Sequence, residues 1–241
     1  FSMIRSLVIA AALLAIPVTA NADVNEAVDL SAQYLISRWT ADPTLNEYRP
    51  PQVLPVVAKS KIYGACGSQI RGHELGGSSY CPATHTVYLV PEELELFHDA
   101  FGASSVTYVI SHEFGHALQM VLEAGLTGPS EELQADCLAG ILIKEGSKQL
   151  GITRDDVIGM AQAAYAIGSE SHGSGAQRAY ALFSGMGVSK SSCTASEMTA
   201  LAQGKVNDPM LVELNKQRSG TVGIDTSITP YPKTVKGALG L

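Results

Sequence analysis

The amino-acid sequence predicts an α+β fold with short strands in its first part and helices in its second. Between residues 50 and 90, short apolar stretches, at 53–57 and 86–90, are broken by glycine-rich turns, which is typical of strands. Beyond residue 104, apolar residues recur at helical spacing. The 241 residues are 46% hydrophobic and contain no internal repeat, which indicates one domain with a substantial core.

The helices are predicted from the spacing of apolar residues and from the breaks between them. An amphipathic helix is expected over residues 25–39, before the break at Asp42-Pro43. The helical part then covers 104–123, 130–145, 154–167 and 174–183. Residues 205–241 have few apolar residues at regular spacing, so we expect a loosely structured tail packed on the domain.

The N-terminal residues have the features of an export signal. Phe1-Ser2 precedes Met3 as an upstream remnant, and an apolar run at 7–18 leads to Ala20-Asn21-Ala22, a pattern that signal peptidase recognises. A retained membrane anchor is the alternative, but this run is shorter than the ~20 residues of a spanning helix. We expect residues 1–22 to be removed, the domain to cover 23–204, and the protein to be periplasmic or secreted with no membrane span.

Charge and cysteine content narrow the possible partners and the compartment. The net charge is −7 and no basic patch is present, which disfavours nucleic acid and anionic membranes as partners. The even number of cysteines suggests two disulfides in an oxidising compartment. The sequence does not determine their pairing. We favour a local bond between Cys66 and Cys81, and a bond between Cys137 and Cys193 over a buried free thiol.

The segment from Ser111 to His116 contains the pattern HExxH on a predicted helix. His112 and His116 are four residues apart, so both imidazoles lie on one helical face and can reach one zinc ion. Glu113 lies about 100° around the helix from His112. At this position a general base can stand beside the metal without replacing a ligand. Chance would give HExxH in roughly one in a hundred chains of this length, so a third ligand has to be found.

The third ligand is predicted on the next helix. Gln119 and Leu122 stand where a metzincin would have glycine and histidine, which excludes that class. The loop at 125–129 can span ~16 Å, enough to return the chain beside the histidines. Glu132 is then the third zinc ligand, and Asp136, four residues later, orients one of the histidines. The alternative for Glu132, surface charge in a first helical turn, suits Glu131 better.

Five motifs together resemble the bacterial neutral zinc metallopeptidases, a family of zincins that use two histidines and a glutamate. The resemblance covers roughly residues 63–193. Its motifs are Ala65-Cys66-Gly67, Tyr80-Cys81-Pro82 with Val87-Tyr88-Leu89, Tyr108 to His116, Glu132 to Gly140, and His172 to Arg178. The resemblance implies a zincin-like fold, one Zn²⁺ per chain held by His112, His116 and Glu132, catalysis by Glu113, and the Cys66–Cys81 bond.

Two further expectations come from the resemblance. Zincins commonly supply an oxyanion donor from outside the zinc helices, which suggests a catalytic role for His172. By spacing alone, His172 would instead cap the following helix, with Arg178 pairing to a nearby acid. Zincins also commonly pair an extended substrate with an edge strand, and residues 86–90 are either the candidate for this strand or an ordinary half-buried strand.

The sequence thus predicts an exported zinc metallopeptidase that acts on protein or peptide substrates. An alternative is a binding or assembly factor of the cell envelope that keeps the zinc but has lost turnover, against which the intact Glu113 argues. A structural zinc site is disfavoured because two histidines and one carboxylate leave an open position on the metal.

Overall fold

The computed structural model describes residues 22–56, 61–62, 66, 70–71, 77–217 and 233–240. The predicted signal segment therefore lies, except for Ala22, outside the described residues. In the described part, no helix combines the length and the apolar character that crossing a membrane requires.

The N-terminal helix α1 (Val24–Ala41) forms as the apolar spacing predicts, and Asp23 caps it by accepting a hydrogen bond from the Glu26 amide. Its buried face lies against a later helix, α3 (Ala103–Val121). There the Ser31 hydroxyl donates to Thr107 at 2.9 Å. This face places α1 behind the helix that carries HExxH.

The strands form a small mixed sheet with β5 at its centre. Strand β5 (Thr86–Leu89) pairs in parallel with β1 (Gln52–Pro55) and antiparallel with β4 (Ser79–Cys81). A separate antiparallel pair joins β2 (Lys61–Ile62) and β3 (Ile70–Arg71). The expectation that residues 86–90 form an edge strand is therefore wrong, because both sides of β5 are occupied. Among the strands that the structure describes, the edge strand next to HExxH is β4.

The helical part agrees with the sequence to within two or three residues for four helices: α3, α4 (Pro129–Gly146), α5 (Arg154–Ala166) and α6 (Gly175–Gly185). Two further helices were not expected, α2 (Pro91–Phe101) and α7 (Ala195–Ala202). Helix α2 starts with Pro at its first position and two glutamates in its first turn, which are ordinary start signals.

The expectation of a loosely structured tail is wrong for two segments, α8 (Pro209–Lys216) and α9 (Val235–Leu239). Asp208 caps α8, whose residues Leu211 and Leu214 are buried one turn apart. Val235 and Ala238 are buried in α9, which packs against α4. Two apolar residues do not form a periodic pattern that a sequence can reveal. Their burial is nevertheless enough to hold each short helix against the domain.

The centre of the domain is formed by α3, α4 and α6, whose backbones approach closely at glycines. A Cβ atom at Gly140 on α4 would overlap the Leu182 carbonyl of α6, and one at Gly185 on α6 would overlap the Cys137 carbonyl of α4. Disulfides join Cys137 to Cys193 and Cys66 to Cys81, as favoured from the sequence. The first bond holds α4 to the segment that precedes α7.

We expect Gly185→Ala to lower the free energy of unfolding by about 2 kcal/mol or more, because the added methyl group forces α6 away from α4. Urea denaturation followed by circular dichroism measures this. Glu95→Ala on the exposed face of α2 is the control and should stay within about 0.5 kcal/mol. An unchanged stability for Gly185→Ala would contradict the close contact of the two helices.

Candidate metal centre

Helix α3 brings the two histidines together through their spacing of four residues. The Nε2 atoms of His112 and His116 are 3.1 Å apart. Between them, Gly115 faces α4, and a Cβ there would lie 2.8 Å from the Ala135 carbonyl. Position 115, directly before His116, therefore requires a residue without a side chain, because α4 crosses directly beneath it.

Glu132 reaches the histidines because the chain reverses between α3 and α4. Gly125 and Gly128 take positive φ angles of 69° and 62°, which glycine adopts without strain, and Pro129 then opens α4. One Glu132 oxygen lies 3.2 Å from His112 Nε2 and the other lies 3.6 Å from His116 Nε2. The chain therefore returns to the histidines as the length of the loop predicts.

The three residues could hold a metal ion, since one donor atom from each lies within 4.8 Å of the others. Two ligands about 2.0–2.1 Å from a tetrahedral zinc would be about 3.3 Å apart. The two Nε2 atoms here are 3.1 Å apart, and each lies 3.2 or 3.6 Å from a different oxygen of Glu132. The donor set of two imidazoles and a carboxylate also suits zinc chemically. The residues therefore fit the metal that the sequence predicts.

Asp136 orients His112, as the sequence predicts. Its Oδ1 atom accepts a hydrogen bond from His112 Nδ1 at 2.8 Å and from the Tyr108 hydroxyl at 2.7 Å. Arg178 approaches the same carboxylate from α6 with Nε at 2.8 Å and Nη2 at 2.9 Å. Sequence spacing identified Asp136 and proposed an acidic partner for Arg178, but it did not show that the two residues pair with each other.

The cluster strongly shifts the pKa values of its members. Burial alone would raise the pKa of Asp136, but the charges of Arg178 and His112 outweigh it and lower the pKa to about 2. Burial would likewise lower the pKa of His112, yet the charge and hydrogen bond of Asp136 raise it to about 10. The carboxylates of Asp136 and Glu132 therefore favour a positive charge at the His112 ring.

Glu113 is held on the other side of the histidines by the edge strand. Its Oε2 atom accepts a hydrogen bond from the Tyr80 backbone amide of β4 at 2.6 Å, and the side chain is buried. Burial raises the pKa of this carboxyl above its ordinary value, although the charges of His112 and His116 oppose the shift. A carboxylate with a raised pKa is a stronger base, which suits proton abstraction.

His172 lies in the loop between α5 and α6, where the sequence places it. Its Nε2 atom is 4.0 Å from a Glu132 oxygen, and about half of its side chain is exposed. The Ser169 and Ser171 hydroxyls contact its Nδ1 atom at 2.9 and 2.7 Å. The alternative that His172 caps α6 is wrong, because Ser174 forms that cap. The structure thus brings His172 to the metal centre.

The centre opens into a cleft of about 930 Å³. All the proposed catalytic and ligating residues lie along it, together with Ser78, Tyr80, Phe97, Met120, Leu126 and Ile167. The wall is thus partly apolar and partly formed by the edge strand β4. A cleft of this size can accommodate several residues of an extended chain.

Comparison with known protein families agrees with this geometry. The family model described as "Putative neutral zinc metallopeptidase" matches residues 39–128. This match confirms the resemblance. The matched part includes the HExxH residues of this chain, whereas Glu132, Asp136 and His172 lie beyond its end.

Curated relatives match part of the chain. The "Uncharacterized protein YpfJ" of Escherichia coli (strain K12) is 30% identical over 142 residues, which cover 51% of this chain and 48% of the relative. The "Uncharacterized protein Rv2575" of Mycobacterium tuberculosis (strain ATCC 25618 / H37Rv) is 34% identical over 80 residues, 27% of each chain. The chain thus spans about half the length of the first relative and about a quarter of the second. No solved structure matches the chain.

We expect Arg178→Met to lower the free energy of unfolding by about 3–5 kcal/mol, because it leaves the charge of Asp136 buried without its bidentate partner. Arg38→Met is the matched control: this arginine pairs with Asp42 and Glu145 closer to solvent and should cost at most about 1 kcal/mol. Urea denaturation of the metal-free proteins measures both. Equal costs for the two variants would refute the buried pairing.

Proposed function

We propose that this chain is a zinc-dependent peptidase in which His112, His116 and Glu132 hold the metal and Glu113 is the general base. The observation that carries the proposal is the convergence of three donor atoms in one open cleft, with a buried carboxylate beside them. Three protein ligands leave the fourth position of a tetrahedral zinc free, as in catalytic rather than structural sites.

The chemistry divides between the metal and the protein. His112, His116 and Glu132 would hold the zinc ion, which would supply a water of lowered pKa and polarisation of the peptide carbonyl. Glu113 accepts the proton of the attacking water and passes it to the leaving amine. Its hydrogen bond to the Tyr80 amide keeps the carboxylate at the mouth of the cleft, next to the edge strand.

The substrate is proposed to bind along β4 and not along β5. The amide of Tyr80 points away from the sheet towards Glu113, so the side of β4 that pairs with no described strand faces the cleft. An extended peptide can add to such an edge through backbone hydrogen bonds. Recognition through the backbone is consistent with protein or peptide substrates of varied sequence.

His172 is proposed to stabilise the oxyanion that forms at the substrate carbonyl. Its exposed ring lies at the rim of the centre with Nε2 turned towards Glu132. The contacts of its Nδ1 atom with Ser169 and Ser171 fix the ring from behind. A donor held in advance at this position costs little reorganisation during the reaction.

The disulfides support the proposed compartment outside the cytoplasm. Two bonds, one of them within the core, indicate folding under oxidising conditions. Together with the export signal predicted at residues 1–22, they support a periplasmic or secreted protein.

We expect Glu113→Gln to lower the rate of cleavage of a diverse peptide mixture at least about a thousandfold, because the amide cannot accept the proton of the water. Mass spectrometry of the peptides measures cleavage, and metal analysis should find zinc in both proteins. Glu95→Gln, on the exposed face of α2, is the matched control and should cleave like the wild type. Zinc-loaded wild type that cleaves nothing would instead favour the binding-factor alternative.

We expect His172→Gln to lower kcat by about 10²–10³-fold with little change in KM, because an oxyanion donor acts mainly in the transition state. The zinc content should stay unchanged, since His172 is not proposed as a ligand. Steady-state kinetics on a peptide found in the mixture experiment separate the two constants. A rise in KM alone would assign His172 to substrate binding.

A further inference from the structure

The second histidine of the metal centre is oriented by a chain of two buried glutamines. His116 Nδ1 lies 2.9 Å from the Oε1 atom of Gln119, one turn further along α3. Gln119 Nε2 lies 2.8 Å from the Glu131 carbonyl and 3.1 Å from Oε1 of Gln134 on α4. Gln119 and Gln134 are 5% and 1% exposed, so these contacts are shielded from water.

The second glutamine, Gln134, connects this series of hydrogen bonds to the C-terminal part of the molecule. Gln134 Nε2 donates to the Cys193 carbonyl and to the Ala238 carbonyl, both at 3.1 Å. Cys193 is fixed to α4 by its disulfide with Cys137, and Ala238 belongs to α9. The two amides thus connect His116 of the metal centre to the segment of Cys193 and to α9.

Backbone carbonyls determine which group donates in each hydrogen bond of Gln119 and Gln134. A carbonyl oxygen can only accept, so the side of Gln134 facing Cys193 and Ala238 is its NH₂ group, and its oxygen faces Gln119. The Glu131 carbonyl and the Gln134 oxygen then require the NH₂ group of Gln119, whose oxygen is left for His116. The reverse orientation of the two amides would place their buried oxygens against the carbonyl oxygens of Glu131, Cys193 and Ala238.

The histidine tautomer follows from this direction. Because the Gln119 oxygen can only accept, His116 carries its proton on Nδ1 and presents a bare Nε2 atom to His112 and Glu132. We propose that Gln119 and Gln134 are positioning residues that fix His116 as an Nε2 ligand of the metal. The inference rests on the proposed metal site and adds to it a second means of orientation, distinct from Asp136.

The proposal is tested by the affinity for Zn²⁺, measured by competition with a chromophoric chelator, so that no catalytic activity is needed. Gln119→Met keeps the length of the side chain but removes the amide, and we expect the dissociation constant to rise about 10–100-fold. Gln134→Met leaves Gln119 in place without its support and should raise it about 3–10-fold. Gln33→Met, at an exposed position of α1, is the matched control and should bind like the wild type.

The double variant separates positioning from general destabilisation. Once Gln119 is removed, Gln134 no longer reaches His116, so the double variant should bind zinc no more weakly than Gln119→Met alone. The visible absorption of the Co²⁺-substituted proteins should change in both single variants, because the geometry around the metal is altered. Should Gln119→Met fail to fold, Gln119→Leu replaces it with the same expectation, since its side chain can neither accept from His116 Nδ1 nor donate to the Glu131 carbonyl.

The outcomes distinguish this inference from the proposed function. Unchanged affinity and Co²⁺ spectra in the single variants, or losses that simply add in the double variant, would overturn the positioning chain and leave the peptidase proposal intact. A wild-type protein that binds neither metal would overturn both. Weaker binding with the expected lack of additivity supports the chain whether or not a peptide substrate has been found.

Discussion

The rest of the structure depends on the pairing of Asp136 with Arg178. An isolated carboxylate without solvent access is strongly unfavourable, and Asp136 has no exposed surface. Its partners come from two other helices, Tyr108 and His112 from α3 and Arg178 from α6, while Asp136 itself stands on α4. Moving any of the three helices would leave a buried charge or hydrogen-bonding group unpaired, so their relative positions and that of the His112 ring are fixed together.

The small residues on the same helices make this arrangement possible. Gly115 lets α4 cross directly beneath the histidines, and Gly140 and Gly185 let α6 approach α4 closely enough for the Arg178 side chain to reach Asp136. Packing and electrostatics therefore act on the same three helices. The metal centre lies where both constraints meet, which gives its donor atoms a rigid frame.

Local patterns allowed much of the site to be predicted. Both histidines, Glu113, Glu132 and Asp136 follow from spacings of one to four residues on two neighbouring helices, and the structure places all five as those spacings require. The order of the strands could not be derived in this way, because an apolar alternation does not specify which strands pair, and β5 was therefore placed at the edge instead of β4. The partner of Arg178 lies 42 residues away, and no local pattern carries that information.

The two histidines are oriented by groups of different charge, and this difference bears on the chemistry of the centre. The charge of Asp136 behind His112 is balanced by Arg178, and the amide of Gln119 behind His116 is neutral. The negative charge next to the donor atoms therefore comes from Glu132 and, beside them, Glu113. Each further negative charge would weaken the pull of a bound cation on the electrons of water and substrate. By orienting both imidazoles without adding net charge, the protein fixes the donor geometry while preserving the electrophilic character of a cation bound there.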